Sequence, residues 1–217
     1  MSSPQLVLAS GSTRRRVLLS ALGMPFVAAA GDVDEGSLPG ETPADLVRRL
    51  SASKAQAVAS LFPDAVIVGA DTVVVLDDIV LGKPGGATGA ARMLRELRSR
   101  EHQVFSAVTA LRPAERLSET ELSESRVWMR AYSDDEIAAY IAGGDPLDKA
   151  GAYAIQHPAF APVERYIGCY AGIMGLPLCH LARALAGVGL SVPLEMTEVC
   201  RSVTGVPCSW SPQQHSR

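Results

Sequence analysis

The sequence predicts an α/β fold, and two observations carry that reading. The first half alternates short apolar runs with amphipathic stretches of helical period. The second half opens on two long runs, Gln103 to Leu111 and Leu117 to Arg130, that read as antiparallel strands joined by a turn near Pro113. At 217 residues the chain is long enough for one large domain or two small lobes sharing a core. Its 47% hydrophobic and 20% charged content is ordinary for a globular protein.

The elements follow in order. Leu6 to Ala9 is a short buried strand. A helix spans about Arg14 to Leu22, with Gly23 just past its end. Pro25 to Ala30 is a second strand, and Gly31 to Gly40 is an acidic loop. Thr42, Pro43 and Asp45 start a helix that reaches about Leu61. Ala65 to Leu76 (AVIVGADTVVVL) is the strongest strand signal in the chain. Asp77-Asp78 turns it into Ile79 to Leu81. Thr88 caps a helix through about Arg98. In the second long strand, Val127 and Met129 share one face. Ser133 and Glu136 form a capping box for a helix ending at Gly143-Gly144. Ala152 to Gln156 reads as a short strand, and Leu178 to Leu185 as the final helix. Beyond Gly187 order weakens and the chain reads as a tail.

Charge and composition exclude several classes. A net charge of −3 and a pI near 5.8 argue against a general nucleic-acid binder. The N-terminal apolar run is too short for a signal peptide, and its arginines follow it. The apolar stretch from Leu176 to Leu194 is interrupted by His180 and Arg183, so it is a poor membrane span. A cytoplasmic protein is expected. Cys169, Cys179, Cys200 and Cys208 form no C-x-x-C pair, which speaks against a zinc site. A Cys200–Cys208 disulfide is sterically conceivable, but thiols are expected. His102, His157, His180 and His215 show no ligand spacing, and no G-x-S-x-G elbow is present.

Four places carry chemistry. Ser10-Gly11-Ser12-Thr13 lies between a strand and a helix, where hydroxyls and free backbone N–H groups make an anion pocket. Arg14 and Arg15 follow at the positive end of the helix dipole, which disfavours them unless an anion binds. On a helical wheel both share the arc of Leu18 and Leu22. No Walker loop is present. Asp71-Thr72 sits inside an apolar strand, where a carboxylate needs a partner or a metal. Gly69 beside it allows close backbone approach. Only three of the 20 basic residues are lysine: Lys54, Lys83 and Lys149. Lys54 falls on the apolar arc of its helix and needs a counter-charge. Lys83 precedes a direction-fixing Pro84. Glu35 offers a second carboxylate, and Mg²⁺ commonly takes one or two carboxylates plus substrate phosphates.

As a set, LASGSTRR (8–15), Glu35, Lys54-Ala55, GADTVV (69–74), GKP (82–84), PLDKAGAYAIQ (146–156) and GLPL (175–178) resemble the Maf family of nucleoside triphosphate pyrophosphatases. The resemblance covers about residues 6 to 185. It implies two lobes around an elongated mixed β-sheet with a central active-site cleft, a Maf/ITPase-like arrangement, often as a homodimer. It implies residues 1–187 as a single two-lobed catalytic domain, with 188–217 as a tail. The implied reaction converts a nucleoside triphosphate to a monophosphate and pyrophosphate with a divalent metal, Mg²⁺ or Mn²⁺, held by Glu35 and Asp71. Asp71 matches the family's proton acceptor, and Arg14, Thr72 and Gln156 its positions for substrate preference. Ser10, Ser12, Arg15, Glu35, Lys54 and Lys83 match other cleft residues.

AGAYAIQ looks most like the subgroup acting on dTTP and UTP. Alternatives are a pyrophosphatase for 7-methyl-GTP or modified purines, or a non-catalytic nucleotide-binding regulator of cell division. Two departures stand out. Thr13 replaces a proline, which loosens the loop. His157-Pro158 replaces a glycine after the Gln and is expected to alter the wall of the base pocket.

Overall fold

The computed structural model describes residues 4–192 and 195–208. Seven strands form one mixed sheet. Its path runs β2 (Phe26–Ala28), β1 (Leu6–Leu8), β3 (Val66–Leu76), β5 (Glu101–Arg112), β6 (Leu117–Met129) and β7 (Val163–Ile167). β4 (Ile79–Leu81) pairs with β3 off this path. β1 pairs parallel with β2 and β3, and every other pairing is antiparallel.

Side-chain alternation along β3 sorts the helices into layers. Val73 and Val75 face α2 (Pro43–Ala57), packing on Leu46, Val47 and Leu50. Val66 and Val68 face the opposite way, against α1 (Thr13–Ser20) and α6 (Leu178–Gly187) through Leu18, Leu19, Leu178 and Leu181. Burying each such leucine is worth about 1.5–3 kcal/mol. Further along that same face, Val74 and Leu76 pack on α3 (Ala87–Leu97) and α4 (Asp134–Ala142) through Leu94, Leu97 and Ile137. One face of β3 therefore carries two separate apolar clusters. The residue between them is Thr72.

Several elements differ from expectation. α3 begins at Ala87, with Gly86 rather than Thr88 at its cap. Gly85 (φ +67°) and Gly86 (φ +142°) turn the chain straight into the helix. The regular α2 stops at Ala57, and a single 3₁₀ turn covers Ala59–Leu61. The expected strand Ala152 to Gln156 is absent among the described elements; Ala150–Ala152 forms a 3₁₀ turn. Positive φ at Gly151 and Ala152 bends the backbone out of the extended state that a strand needs. Three further elements have no counterpart in the sequence reading: β7, α5 (Tyr170–Met174) and α7 (Met196–Thr204). α7 lies where a tail was expected, and its Cys200 is buried in the cluster that holds Leu178 and Leu181.

Candidate active site

β3 is covered unevenly at its edges. β5 runs along one edge from Ile67 to Val75. On the other edge β1 covers Val66 to Val68 and β4 covers Val74 to Leu76. Between those two short strands a gap opens, and a cleft of about 510 Å³ enters it. Asp71 and Thr72 lie at that gap.

Gly69 sets how closely α2 sits. A Cβ at Gly69 would fall 2.1 Å from the Ser51 carbonyl oxygen and 2.8 Å from the Ala55 nitrogen. Without one, the helix backbone rests directly on the strand, and Lys54 comes down beside Asp71. The Lys54 ammonium donates to Asp71 Oδ1 at 2.6 Å, and Glu35 Oε1 lies 2.6 Å from the same nitrogen. Lys83 Nζ stands 3.8 Å from Glu35 Oε2. Asp71, Lys54, Glu35 and Lys83 thus alternate in sign across the cleft. The hydrogen bond from Lys54 holds the Glu35 carboxyl below its ordinary value, overcoming an upward push from partial burial. Lys54 is the core-facing cation that the helical wheel required, and its counter-charges are these two carboxylates.

The loop before α1 builds one wall. Ser12 caps the helix by accepting from the Arg15 backbone N–H at 3.4 Å. Ser10 Oγ accepts from the Ser12 N–H at 3.2 Å and from Arg15 Nη1 at 3.3 Å. Arg15 Nε also donates to the Gly175 carbonyl at 2.9 Å. Burial pushes the Arg15 guanidinium below its usual value, with the Asp71 charge opposing. Arg14 reaches across the cleft, 3.6 Å from Asp148. Both arginines turn inward, as the wheel predicted, and both find oxygen partners that offset the helix dipole.

The facing wall comes from residues 145 to 156. Gln156 lines the cleft and is exposed. Lys149 also lines it, but its ammonium donates to the Asp145 carbonyl and to Asp148 Oδ1 at 2.7 Å, with Asp145 Oδ1 at 3.1 Å. His157 is outside the cleft lining. Its Nδ1 accepts from the Phe160 N–H at 3.0 Å, and its ring packs edge-on to Tyr140. The His157 side chain is thus engaged with its own turn and with Tyr140.

At the seam between the two apolar clusters, Thr72 Oγ1 lies 2.8 Å from Ser106 Oγ. Ser106 in turn donates to the Gly172 carbonyl at 2.7 Å. With that proton spent, Thr72 must donate to Ser106, and its remaining lone pairs are left to accept.

A model of the family described as Maf-like protein matches residues 5–188. The chain belongs to the Maf family. It is 43% identical over 188 residues to a dTTP/UTP pyrophosphatase of Pelotomaculum thermopropionicum, covering 87% of this chain and 98% of that one. A dTTP/UTP pyrophosphatase of Dictyoglomus turgidum is 43% identical over 87% of this chain and 98% of its own. One of Geotalea uraniireducens is 44% identical over 85% of this chain and 95% of its own.

All ten site residues expected from the Maf resemblance line one cleft: Ser10, Ser12, Arg14 and Arg15, then Glu35, Lys54, Asp71 and Thr72, then Lys83 and Gln156. Sequence reasoning missed three supporting groups. Ser106 had a visible signal, a hydroxyl inside an apolar strand. Asp148 and Gly175 lie inside the quoted PLDKAGAYAIQ and GLPL segments, but their pairing with Arg14 and Arg15 had no local signal, because only tertiary packing makes it. The acids that could hold a divalent cation are Glu35 and Asp71. Among the described residues, no helix is long and apolar enough to cross a membrane.

Proposed function

We propose that this Maf-family chain hydrolyses a nucleoside triphosphate, dTTP or UTP by preference, to the monophosphate and pyrophosphate. One observation carries the proposal. One ammonium, that of the largely buried Lys54, stands 2.6 Å from both Asp71 and Glu35 at the floor of a cationic cleft. That arrangement suits in-line attack on a polyanion. Water attacks the α-phosphorus, and Asp71 takes its proton. A new P–O bond forms as the bond from the α-phosphorus to the bridging oxygen breaks, and pyrophosphate leaves with the electron pair. Lys54 fixes Asp71 in place. Lys83 and Arg14 stand where charge builds on the phosphate oxygens. Ser12 and the first amides of α1 suit the triphosphate tail.

The donor set fits a divalent ion, since two carboxylates already meet on one cation in a cleft for phosphates. Glu35 and Asp71 would hold Mg²⁺ or Mn²⁺, which when bound neutralises phosphate charge and favours deprotonated water. The base preference draws on three supports. They are the relatives' activity, the accepting Thr72 hydroxyl, and the Gln156 amide, which can both donate to and accept from a pyrimidine edge.

The test is pyrophosphate release over all common and modified triphosphates, 7-methyl-GTP included, with Mg²⁺ and with Mn²⁺. Turnover of dTTP and UTP is expected. No turnover of any substrate would sink the enzyme reading, and preference for a purine would sink the base assignment. Asp71→Asn should lose about 10²–10⁴-fold in kcat while nucleotide binding is kept. A near-wild-type rate in that variant removes Asp71 as the base.

A further inference from the structure

Three cysteines meet in the apolar cluster under α1 and α6, outside the cleft lining. The sulfurs of Cys179, Cys200 and Cys208 all lie within 4.8 Å of one another. Nothing in their spacing along the chain announces this, because each arrives by a different route. Cys179 sits in the first turn of α6. Cys200 lies in the middle of α7. Cys208 is brought back by a reversal at the end of α7, where Gly205 takes a left-handed φ of +71°. The Thr204 hydroxyl accepts from the Val206 N–H at 3.2 Å and holds that reversal. All four cysteines are thiols.

We propose that Cys179, Cys200 and Cys208 form a thiolate site for a soft divalent cation, Zn²⁺, that clasps α7 to the Maf domain. Two geometric observations support it. First, a tetrahedral ion with Zn–S bonds of about 2.3 Å places its sulfurs about 3.8 Å apart, so the present cluster, within 4.8 Å, needs only a small contraction. Second, a small pocket of about 10 Å³ borders Cys200 and Cys208, room for a water-sized fourth ligand. On binding, the three thiols give up their protons to solvent.

The site would also explain how a short extension stays folded. The family match ends at residue 188, and α7 has nine residues. Helices of that length are marginal alone. Met196, Val199 and Val203 pack only partly buried against the core. Small units with little apolar burial commonly rely on a metal or other staple.

The experiment uses the full chain, reduced, incubated with ZnCl₂, freed of excess metal and assayed for zinc. One zinc per chain is expected. Cys200→Ser and Cys208→Ser should each retain less than a tenth of it, with pyrophosphate release unchanged, which also shows that the variants fold. Asp71→Asn and Glu35→Gln should keep the zinc, which separates this site from the cleft. CoCl₂ in place of zinc should give a thiolate-to-cobalt charge-transfer band that vanishes in Cys200→Ser. The proposal is overturned if wild type retains no zinc, if Cys200→Ser retains it, or if cobalt binds without that band. It is equally overturned if the protein isolated without reductant holds a disulfide among these cysteines and no metal.

Discussion

The floor of the cleft and its 145–156 wall each hold a lysine largely out of solvent, and they neutralise it in opposite ways. The side chains of Lys54 and Lys149 are 14% and 8% exposed, so burial does not tell them apart. Their counter-charges do. Lys149 is held by Asp145 and Asp148, four residues and one residue before it in the same turn. That pairing forms whenever the turn forms. Lys54 is held by Asp71 on β3 and by Glu35 in the loop after β2. Those contacts exist only once α2 has docked on the sheet at Gly69. A locally paired ammonium stabilises its own loop. One paired across elements sits where several parts of the fold converge, and there a substrate can exchange with its partners.

The largest break in this comparison is Lys54→Met. It leaves Asp71 and Glu35 without their shared cation and removes a positive charge aimed at phosphate. Turnover should fall about 10²–10³-fold, the usual cost of losing one well-placed electrostatic partner. Pyrophosphate release at saturating nucleotide measures it, and a loss below fivefold would put Lys54 on the same footing as Lys149. Lys149→Met should do the reverse. Asp145 keeps only the Tyr140 hydroxyl and Asp148 only Arg14, stability falls by about 1–3 kcal/mol in urea unfolding, and kcat stays within a few fold. A large kcat loss with unchanged stability would move Lys149 into the catalytic set.

How far the sequence revealed all this depends on where each signal lives. Asp71 was visible because an acid inside AVIVGADTVVVL violates the local pattern, and Gly69 because it interrupts the same apolar run. The caps at Thr42 and Ser133 were visible because capping is a contact over three residues. The strand expected over Ala152 to Gln156 failed on backbone geometry. Its A-Y-A-I alternation fits a strand, yet left-handed φ at Gly151 and Ala152 turns the chain. β7 escaped notice because it is a five-residue edge strand with charges at Glu164 and Arg165. α7 lacks a side-chain N-cap, so its start carries no mark. Asp148, the Gly175 carbonyl and the three-sulfur cluster are products of packing between distant segments, which no local pattern encodes.

The smallest expected effect probes the exposed end of the Lys54 network. Glu35 ionises more readily in the folded chain than its ordinary value of 4.5, chiefly through the Lys54 hydrogen bond. A carboxyl with a lowered folded pKa adds stability that is fully present above its unfolded pKa and is lost as pH falls through the folded one. The contribution should thus hold above about pH 4.5 and fade below it. Glu35 is half-exposed, so solvent screening keeps the effect under about 1 kcal/mol. Glu35→Gln should be slightly less stable than wild type near neutral pH, and the two should converge as pH drops below that range. Urea midpoints compared across pH 7 to pH 3 would show it. A gap that stays constant over the whole range would assign the loss to packing of the 31–40 loop instead of charge. Glu35 would then leave the alternating row of carboxylates and ammoniums that sets the floor of the cleft apart from its 145–156 wall.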